Sequence, residues 1–341
     1  MRRKLIWQLR MRGLTSVEKA SIIRNAEHVS SACPTVSVVM TVYNAMPYLP
    51  TSVRSILDQT LVDFEFIIVD DGSTDGTTEY LASLTDPRVI VLRQSRTGQQ
   101  RAAHRAILQA RSPYIARMDG DDVADPKRLE KQWTFLEDSP EVGLVGSQII
   151  RRGETSAGLP SNFPTSHELI VDDLMHNRHS MCNPATMFRR DLYLKVGGYW
   201  EHNIAEDWDL FLKIADHAKL ANLDERLLSY RFHASSINGR RIVEAQLYNE
   251  YAAELARRRK DGRPPIEYAE FYAGHRCRRF PACVFFYLDC HAIAQYRIGV
   301  AEIHSGRRFI GSLRTAYSMV CSPRRVTRRI KQKLTANRVA S

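Results

Sequence analysis

Four short apolar runs, each followed by a stretch with helical periodicity, constrain what this chain of 341 residues can fold into. The runs are rich in Val and Ile, which is typical of strands buried on both faces of a parallel sheet. Strands that alternate with helices in this way predict an α/β fold, with a mostly parallel, doubly wound sheet and helices on both faces. The predicted strands span residues 35–42, 64–69, 89–92 and 114–118.

Polar and acidic residues follow these predicted strands directly. Tyr43 comes after the first strand, Asp70 and Asp71 after the second, and Asp119 and Asp121 after the fourth. Ligands of doubly wound sheets bind at the carboxyl ends of the strands, so we expect these side chains to line one site. Together they suggest a nucleotide that is held through its base, its ribose and a metal-bound diphosphate.

The segment Asp119-Gly120-Asp121-Asp122 carries three carboxylates around one glycine. Like charges this close repel one another, so the cluster is costly unless a cation or several hydrogen-bond donors lie among them. Mg²⁺ and Mn²⁺ prefer oxygen ligands, and Mg²⁺ often takes one or two carboxylates plus substrate phosphates. The structural alternative is a turn before a helix, with Asp125 as N-cap and Pro126 at the first helical position. That alternative leaves Asp119 and Asp121 unexplained.

Two common nucleotide-binding motifs are absent from the sequence. No G-x-G-x-x-G follows the first strand and no G-x-x-x-x-G-K-[ST] occurs, which argues against dinucleotide dehydrogenases and P-loop enzymes. A nucleotidyltransferase is an alternative, but it would want a glycine-rich basic loop where this chain has YNAMP at 43–47. A non-catalytic protein that works through its basic tail is a further alternative, and the acidic motifs argue against it.

The net charge of +11 is concentrated at the carboxyl-terminal end. Residues 305–341 include ten Lys or Arg and no Asp or Glu, which predicts contact with an anionic surface. A membrane is favoured over nucleic acid, because residues 322–341 contain no aromatic side chain to stack on bases. The basic start of the chain lacks the apolar run of a signal peptide. We therefore expect a cytoplasmic protein that is peripheral at the cytoplasmic face of the membrane.

Short motifs in a fixed order resemble the family 2 glycosyltransferases of the GT-A fold, from Pro34 to Asn238. The resemblance implies a GT-A, Rossmann-like domain at 34–238, an arm at 1–33 before it, and a mainly helical, basic extension at 239–341. The motifs are VVMTVYN at 38–44, SILDQT at 55–60, VDDGSTD at 69–75, DGDD at 119–122, MFRR at 187–190, GGY at 197–199, EDWDL at 206–210 and YRFH at 230–233.

The resemblance implies roles for the residues at the strand ends. Thr41 and Tyr43 would line the base pocket, Tyr43 by stacking, and Asp71 would accept a hydrogen bond from the base. Asp121 would bind Mn²⁺ or Mg²⁺, and Asp119 would bind the ribose or belong to the shell of the metal. UDP is the favoured nucleotide because Asp71 suits a uracil N–H, but thymine presents the same edge and guanine also offers N–H donors.

The later motifs would supply the chemistry of the reaction. Asp207 would be the general base, unless it serves only as a helix N-cap. Glu206 would orient Asp207 or bind the acceptor, and His233 would reach the metal or the diphosphate. The resemblance then implies an inverting transfer of a sugar to a hydroxyl group, in the synthesis of a cell-surface polysaccharide or glycolipid. The acceptor could be a lipid-linked glycan, a bare polyprenyl phosphate or a protein.

The chain departs from the family pattern at two places. Family members often carry Arg-Asn on the helix before the D-x-D strand, where this chain has Ala103-His104. A phosphate contact would then come from Arg96 or Arg101 instead. Relatives often have His-Pro near residue 183, where this chain has Asn183-Pro184.

Overall fold

The computed structural model of the chain describes residues 33–152, 158–200, 202, 204–231, 242–276, 282–304 and 306–322. The predicted arm, apart from Cys33, and the predicted end of the catalytic domain at 232–238 lie outside the described residues.

One sheet of nine strands organises the described residues. Its strands are β1 (Val36–Val42), β2 (Phe64–Asp70), β3 (Val89–Arg93), β4 (Tyr114–Asp119), β5 (Val123–Ala124), β6 (Val142–Arg152), β7 (Leu159–Pro160), β8 (Met187–Arg189) and β9 (Lys219–Arg231). Their order across the sheet is β3-β2-β1-β4-β8-β6-β9-β5, and β7 pairs with β6 beside this path.

Most of the sheet is parallel, as the sequence predicts. β3, β2, β1 and β4 are mutually parallel, and the four predicted strands are these four. The short β8 runs antiparallel to both β4 and β6, and β9 returns parallel to β6. β8 thereby joins the nucleotide-binding half of the predicted fold to the half that carries the later motifs.

Helices cover both faces of the sheet. They are α1 (Leu49–Leu57), α2 (Thr77–Ala82), α3 (Gln99–Gln109), α4 (Arg128–Asp138), α5 (His167–Met175), α6 (Arg190–Lys195), α7 (Glu206–Ala215), α8 (Ile242–Lys260), α9 (Tyr268–Arg276), α10 (Ala282–His304) and α11 (Arg308–Cys321). Alternate residues of a strand point to opposite faces, so Val39 packs with α3, α5 and α7, while Val38 and Met40 pack with α1, α2 and α4.

Strand β9 begins at Lys219, and exposed polar residues at 224–226 and a register shift opposite Gln148 interrupt its apolar pattern. The helix start predicted at Asp125-Pro126 is wrong: α4 begins at Arg128 with Lys127 as its N-cap. The carboxylate of Asp125 instead accepts the N–H of Lys127 at 2.9 Å and closes the preceding turn.

The part of the chain after 241 is helical where it is described, as predicted. Ala252, Ala253 and Ala256 of α8 belong to the same core as α5 and α7, so α8 is packed into the body of the protein. Within the residues that the structure describes, no helix combines the length and the apolar character that crossing a membrane requires.

Glu65 ties the amino-terminal edge of the sheet together. This buried β2 carboxylate accepts a hydrogen bond from Ser37 Oγ at 2.6 Å. It also accepts hydrogen bonds from the backbone N–H and the Nε of Arg111, both at 2.7 Å. Strands β1 and β2 and the turn after α3 are thus joined by one charged group.

We predict that Glu65→Ala lowers the free energy of unfolding by about 2–3 kcal/mol, because it removes the acceptor of the buried Ser37 hydroxyl and the buried charge partner of Arg111. Chemical denaturation measures this loss. Asp63→Ala is the matched control: Asp63 also accepts two hydrogen bonds, from Thr35, but at an exposed position. Its removal should cost less than about 1 kcal/mol, and equal losses for the two variants would contradict the role of burial.

Candidate active site

The turns after β1 and β2 are fastened to each other. Asn44 has a φ of 51°, which Asn tolerates better than most residues. Its N–H donates to Ser73 Oγ at 3.0 Å, and its Oδ1 accepts the N–H of Thr74 at 2.8 Å. Thr41 lies just before this turn, with a buried Oγ1 that has no hydrogen-bond partner among the described residues. A ligand at this edge could satisfy that hydroxyl group.

Asp70 and Asp71 differ in what they hold. Asp70 closes its own turn, because its carboxylate accepts the N–H of Ser73 at 2.9 Å and the hydroxyl of Thr78 at 2.6 Å. Asp71 reaches instead into the loop after β3. The base contact that the resemblance implies for Asp71 stays a prediction.

Asp71 organises the loop at 94–98. Its Oδ1 accepts Thr97 N–H and Gln94 Nε2, both at 2.8 Å, and its Oδ2 accepts Gly98 N–H at 2.8 Å. A carboxylate offers about four lone-pair positions, so most of those on Asp71 are occupied by this loop. Any nucleotide selectivity at this edge therefore involves the loop as well as the carboxylate.

The same loop carries Arg96 onto the ring of Tyr43. The guanidinium carbon lies 3.8 Å from the ring centroid, which is the geometry of a cation–π contact. The ring of Tyr43 is otherwise exposed. One face of the aromatic group predicted to stack on a base is therefore covered by the arginine predicted to contact phosphate.

The acidic turn, Asp119-Gly120-Asp121-Asp122, ends β4 beside β1. A Cβ added to Gly120 would lie 2.7 Å from Val42 Cγ1, so packing against β1 requires glycine here. Gln99, the first residue of α3, donates to Asp119 Oδ1 at 3.3 Å. These two contacts position the acidic turn against β1 and against the first residue of α3.

The end of β9 clamps the acidic turn from the other side. Arg231 donates its backbone N–H to Asp122 Oδ1 at 2.8 Å and its Nε to the carbonyl of Asp121 at 2.9 Å. Asp122 is fully buried, and its Oδ2 has no hydrogen-bond partner among the described residues. Burial and the charges of Asp121 and Asp119 raise the pKa of Asp122 well above its ordinary value.

Two fully buried arginines lie behind the acidic turn, and the sequence analysis identified neither. Arg117 of β4 donates through Nη1 to the carbonyl of Val39 at 3.1 Å. Arg128 of α4 donates through Nη2 to the carbonyl of Arg117 at 2.6 Å. Burial lowers the pKa of Arg128 to about 10, against the opposing effect of Asp122. Buried guanidinium groups need hydrogen bonds and opposite charge, and the acidic turn supplies the charge.

α7 begins with the Glu206-Asp207 pair. The preceding Ala205 has a φ of 55°, a left-handed conformation that is uncommon for a residue with a Cβ. Asp207 Oδ1 accepts the N–H of Trp208 at 2.9 Å, and the indole N–H of Trp208 donates to the carbonyl of Leu174 at 3.0 Å. The core thus fixes the start of α7, while both carboxylates remain partly exposed.

The acidic turn and the start of α7 form one electrostatic unit. Burial raises the pKa of Asp119 to about 6, and the charges of Asp121 and Asp207 add to this shift against the effect of Arg117. Burial and the charge of Asp207 raise the pKa of Glu206 to about 7. Burial also raises the pKa of Asp207. Carboxylates from β4 and α7 are therefore close enough to repel one another, and a bound cation would relieve that repulsion.

The departures from the family pattern have structural explanations on this chain. Ala103 is buried in the core, and His104 Nδ1 lies 2.8 Å from the hydroxyl of Tyr193, so this part of α3 faces the core. Asn183 is buried in a single helical turn, where its carbonyl accepts the N–H of Thr186 at 3.0 Å. His233 lies outside the described residues, and its role stays a prediction.

The donor set of the acidic turn fits a divalent cation that is partly coordinated by substrate. In the described part of the chain, no three His, Cys, Asp or Glu side chains are arranged to hold a metal by themselves. Mg²⁺ characteristically takes only one or two carboxylates and fills its shell with water and phosphate oxygens. Asp119 and Asp121 offer two carboxylates, which is the number that such a shell needs from the protein.

Residues 37–197 match the family model described as Glycosyl transferase family 2. The O-antigen biosynthesis glycosyltransferase WbnJ of Escherichia coli is 32% identical over 208 residues, which cover 59% of this chain and 81% of that protein. The chain belongs to glycosyltransferase family 2. The predicted enzyme class is therefore confirmed, and the nucleotidyltransferase and the non-catalytic protein are set aside.

Solved structures agree with this family 2 glycosyltransferase in fold. S. aureus TarS 1-349 in complex with UDP-GlcNAc has a TM-score of 0.56 at 15% identity, over 85% of this chain and 92% of that one. The mannosyltransferase PcManGT from Pyrobaculum calidifontis, in complex with GDP-Man and Mn²⁺, has a TM-score of 0.50 at 16% identity, over 88% and 95%. The predicted α/β architecture of GT-A type, with a helical carboxyl-terminal part, is confirmed.

We predict that Glu206→Gln makes the protein more stable than the parent above about pH 7. The carboxyl of Glu206 has a pKa of about 7 in the folded protein and an ordinary value of 4.5. Because the folded-state pKa is raised, the stability that the neutral carboxyl contributes is present below the unfolded-state value and is lost as the pH rises through the folded-state value. Gln stays neutral and avoids this loss.

Denaturant unfolding at about pH 5 and about pH 8 measures the difference between variant and parent. The advantage of the variant should grow with pH, and Glu267→Gln, at an exposed position before α9, should show no such trend. A variant that is equally destabilised at both pH values would contradict the burial cost assigned to Glu206.

Proposed function

We propose that this family 2 glycosyltransferase is an inverting enzyme that moves a sugar from a nucleoside-diphosphate sugar to a hydroxyl group. The observation that carries the proposal is the placement of the acidic turn at the end of β4 and of the Glu206-Asp207 pair at the start of α7, and the carboxylates of these two groups raise one another's pKa. Direct displacement requires charge stabilisation for a leaving diphosphate and a base for the acceptor proton. The two acidic groups match these two requirements.

The proposed donor is a UDP-sugar. The exposed ring of Tyr43, the buried hydroxyl of Thr41 and the carboxylate of Asp71 lie at the ends of adjacent parallel strands, where a base would bind. The UDP-GlcNAc in the TarS complex supports this class of donor. The proposed process is cell-surface polysaccharide synthesis, in line with the O-antigen biosynthesis named for WbnJ, with a glycan, lipid-linked or protein acceptor.

Asp121 and Asp119 are the residues that would hold Mn²⁺ or Mg²⁺, together with phosphate oxygens of the donor. When bound, such a cation would neutralise charge that develops on the leaving diphosphate. The Mn²⁺ in the PcManGT complex supports this choice of cofactor. His233, the further proposed contact to metal or diphosphate, follows Arg231, whose N–H donates to Asp122.

Asp207 is the proposed general base. It takes the proton of the acceptor hydroxyl as that oxygen bonds to the anomeric carbon. The bond from this carbon to the diphosphate oxygen breaks, and its electron pair leaves with the diphosphate, so one displacement inverts the configuration. Burial raises the pKa of Asp207 and so makes it a stronger base than a solvated carboxylate. Glu206 would orient Asp207 or bind the acceptor.

We predict that Asp207→Asn lowers kcat by about 10²–10⁴-fold while donor binding persists, because the variant loses the proton acceptor and keeps the shape. Asn caps helices as well as Asp does, so the variant also preserves the structural alternative for this residue. Glycosyl transfer assays measure turnover, and thermal shifts with UDP-sugars and Mn²⁺ measure donor binding.

Asp209→Asn is the matched control, one residue beyond Trp208 in the same helix. Asp209 pairs with Lys213 at 2.8 Å and belongs to the packing of α7, so its loss should affect stability more than turnover. Near-normal turnover of Asp207→Asn would sink the assignment of the base. Failure of every nucleotide sugar to shift the parent protein would sink the donor class.

A second prediction distinguishes the contacts to the base of the donor from the contacts to its diphosphate. Arg96 covers one face of Tyr43; a base that stacks on this face displaces Arg96, and the freed guanidinium is proposed to contact phosphate. Arg96→Ala should weaken UDP binding by about tenfold, which is one lost charge-assisted hydrogen bond, and should leave uridine binding equal or tighter. Calorimetric titration with UDP and with uridine measures the split. An equal loss of affinity for UDP and for uridine would contradict the proposed phosphate contact of Arg96.

The proposed location is the cytoplasmic face of a membrane, through the basic stretch at 305–341. Clustered Lys and Arg each add about 1 kcal/mol at an anionic surface. The structure describes this stretch from Gly306 to Ser322.

A further inference from the structure

Helix α11 presents an apolar side to solvent. Phe309, Leu313, Tyr317 and Val320 are 78%, 55%, 52% and 77% exposed. Their spacing of four, four and three residues places them on one side of the helix, called here the α11 apolar face. A helix of a globular protein normally turns such a stripe toward the core, so this orientation is the reverse of the usual one.

The opposite side of α11 packs on α10 through small residues. A Cβ added to Gly311 would lie 2.4 Å from the carbonyl oxygen of Gly299 on α10, and Ser318 is buried. Arg314 pairs with Glu302 of α10 at 3.0 Å. The two helices are therefore closely fitted, and their contact fixes which side of α11 faces outward. α10 itself carries further exposed apolar side chains, among them Val284, Leu288 and Ile298.

The charge around the α11 apolar face selects its partner. The sequence from 305 to 341 has ten basic and no acidic residues, and Arg307 at the start of α11 is exposed. A second copy of the chain would bring these positive stretches together, and like charges disfavour that pairing. An anionic lipid surface offers an apolar interior beside negative headgroups, so it satisfies both features at once.

We infer that the α11 apolar face lies in the interfacial region of an anionic lipid bilayer, with the helix in the membrane plane. A helix of 14 residues is about 21 Å long, too short to cross a hydrocarbon core of about 30 Å. Side chains of this kind bury about 5–10 Å deep at the boundary of headgroups and acyl chains. The inference rests on the proposed membrane location and adds an apolar contact to its electrostatic one.

Insertion of α11 makes a lipid-linked hydroxyl the favoured acceptor of this enzyme. A bilayer-bound protein meets a polyprenyl-linked glycan in two dimensions at a raised local concentration, whereas a free protein acceptor gains nothing from it.

The test uses the full-length protein and vesicles of phosphatidylcholine alone or mixed with an equal part of phosphatidylglycerol. Phe309→Ser, Leu313→Ser and Val320→Ser are combined in one variant. Val62→Ser, Leu169→Ser and Leu194→Ser form the matched control, since these apolar side chains are exposed on the catalytic body. Cosedimentation of the face variant with mixed vesicles should fall at least about tenfold, because three apolar contacts are lost. The control should bind as the parent does.

A second probe reports depth directly. Tyr317→Trp places an indole in the α11 apolar face, and its emission should shift to the blue and be quenched by brominated lipids. Leu169→Trp, on α5, should show neither effect. Donor hydrolysis without vesicles is measured on every variant, and it should stay at the parental rate because the face lies outside the proposed donor site.

Three outcomes would overturn the inference. Unchanged vesicle binding of the face variant would mean that only the basic residues, and not the α11 apolar face, hold the protein on the membrane. Lipid-free dimers that the face variant abolishes would make the face an interface between copies. A lower melting temperature of the face variant without any change in lipid binding would show that the chain covers the face itself. If the parent protein does not hydrolyse any donor, that result would count against the proposed function and would leave the vesicle result standing.

Discussion

The compensation of buried charge at the end of β4 is the interaction on which the site depends. Asp119 and Asp122 belong to an acidic turn at the carboxyl end of the central strand β4, and the buried Arg117 and Arg128 lie directly behind it. Burial and mutual repulsion raise the pKa of both carboxyls; Arg117 and Arg128 oppose this shift at Asp119, and Arg128 opposes it at Asp122. The arginines are themselves held by backbone carbonyls of β1 and β4, so the central strands of the sheet hold the charges of the site in place.

Much of this arrangement could be predicted from the sequence because it follows from strand ends. The four parallel strands, with Tyr43 and Asp71 directly after two of them and Asp119 at the end of the fourth, follow from short β-branched apolar runs that alternate with helical segments. Arg117 and Arg128 could not be found in this way, because one interrupts an apolar strand and the other is the first residue of a mainly polar helix. Their burial depends on partners that come together only in the tertiary structure. An arginine within an otherwise apolar strand was the one available signal.

The carboxyl-terminal helices are more integrated than their position outside the family motifs indicates. Trp200 stacks on Tyr251 of α8 with ring centroids 5.8 Å apart, and Tyr248 stacks on Tyr268 of α9 at 4.2 Å. Trp200 lies in the segment that leads to Ala205 and the Glu206-Asp207 pair. α8 and α9 therefore brace the approach to the proposed base, and the same helical region continues into the α10–α11 pair. The sequence predicts a helical extension but not this contact, because aromatic stacking between distant segments leaves no local pattern.

The hydrogen bonds of Asp71 have a consequence for how enzymes of this architecture diversify. A single carboxylate anchors a loop by two backbone N–H groups and the side chains at 94 and 97, so residues 95 and 96 project from a frame that does not depend on their identity. Substitutions there would alter the surface beside the proposed base pocket without disturbing the acidic turn or α7. Nucleotide preference could drift through such changes while the bond-making residues stay constant, which makes loop 94–98 the natural place to re-engineer the donor.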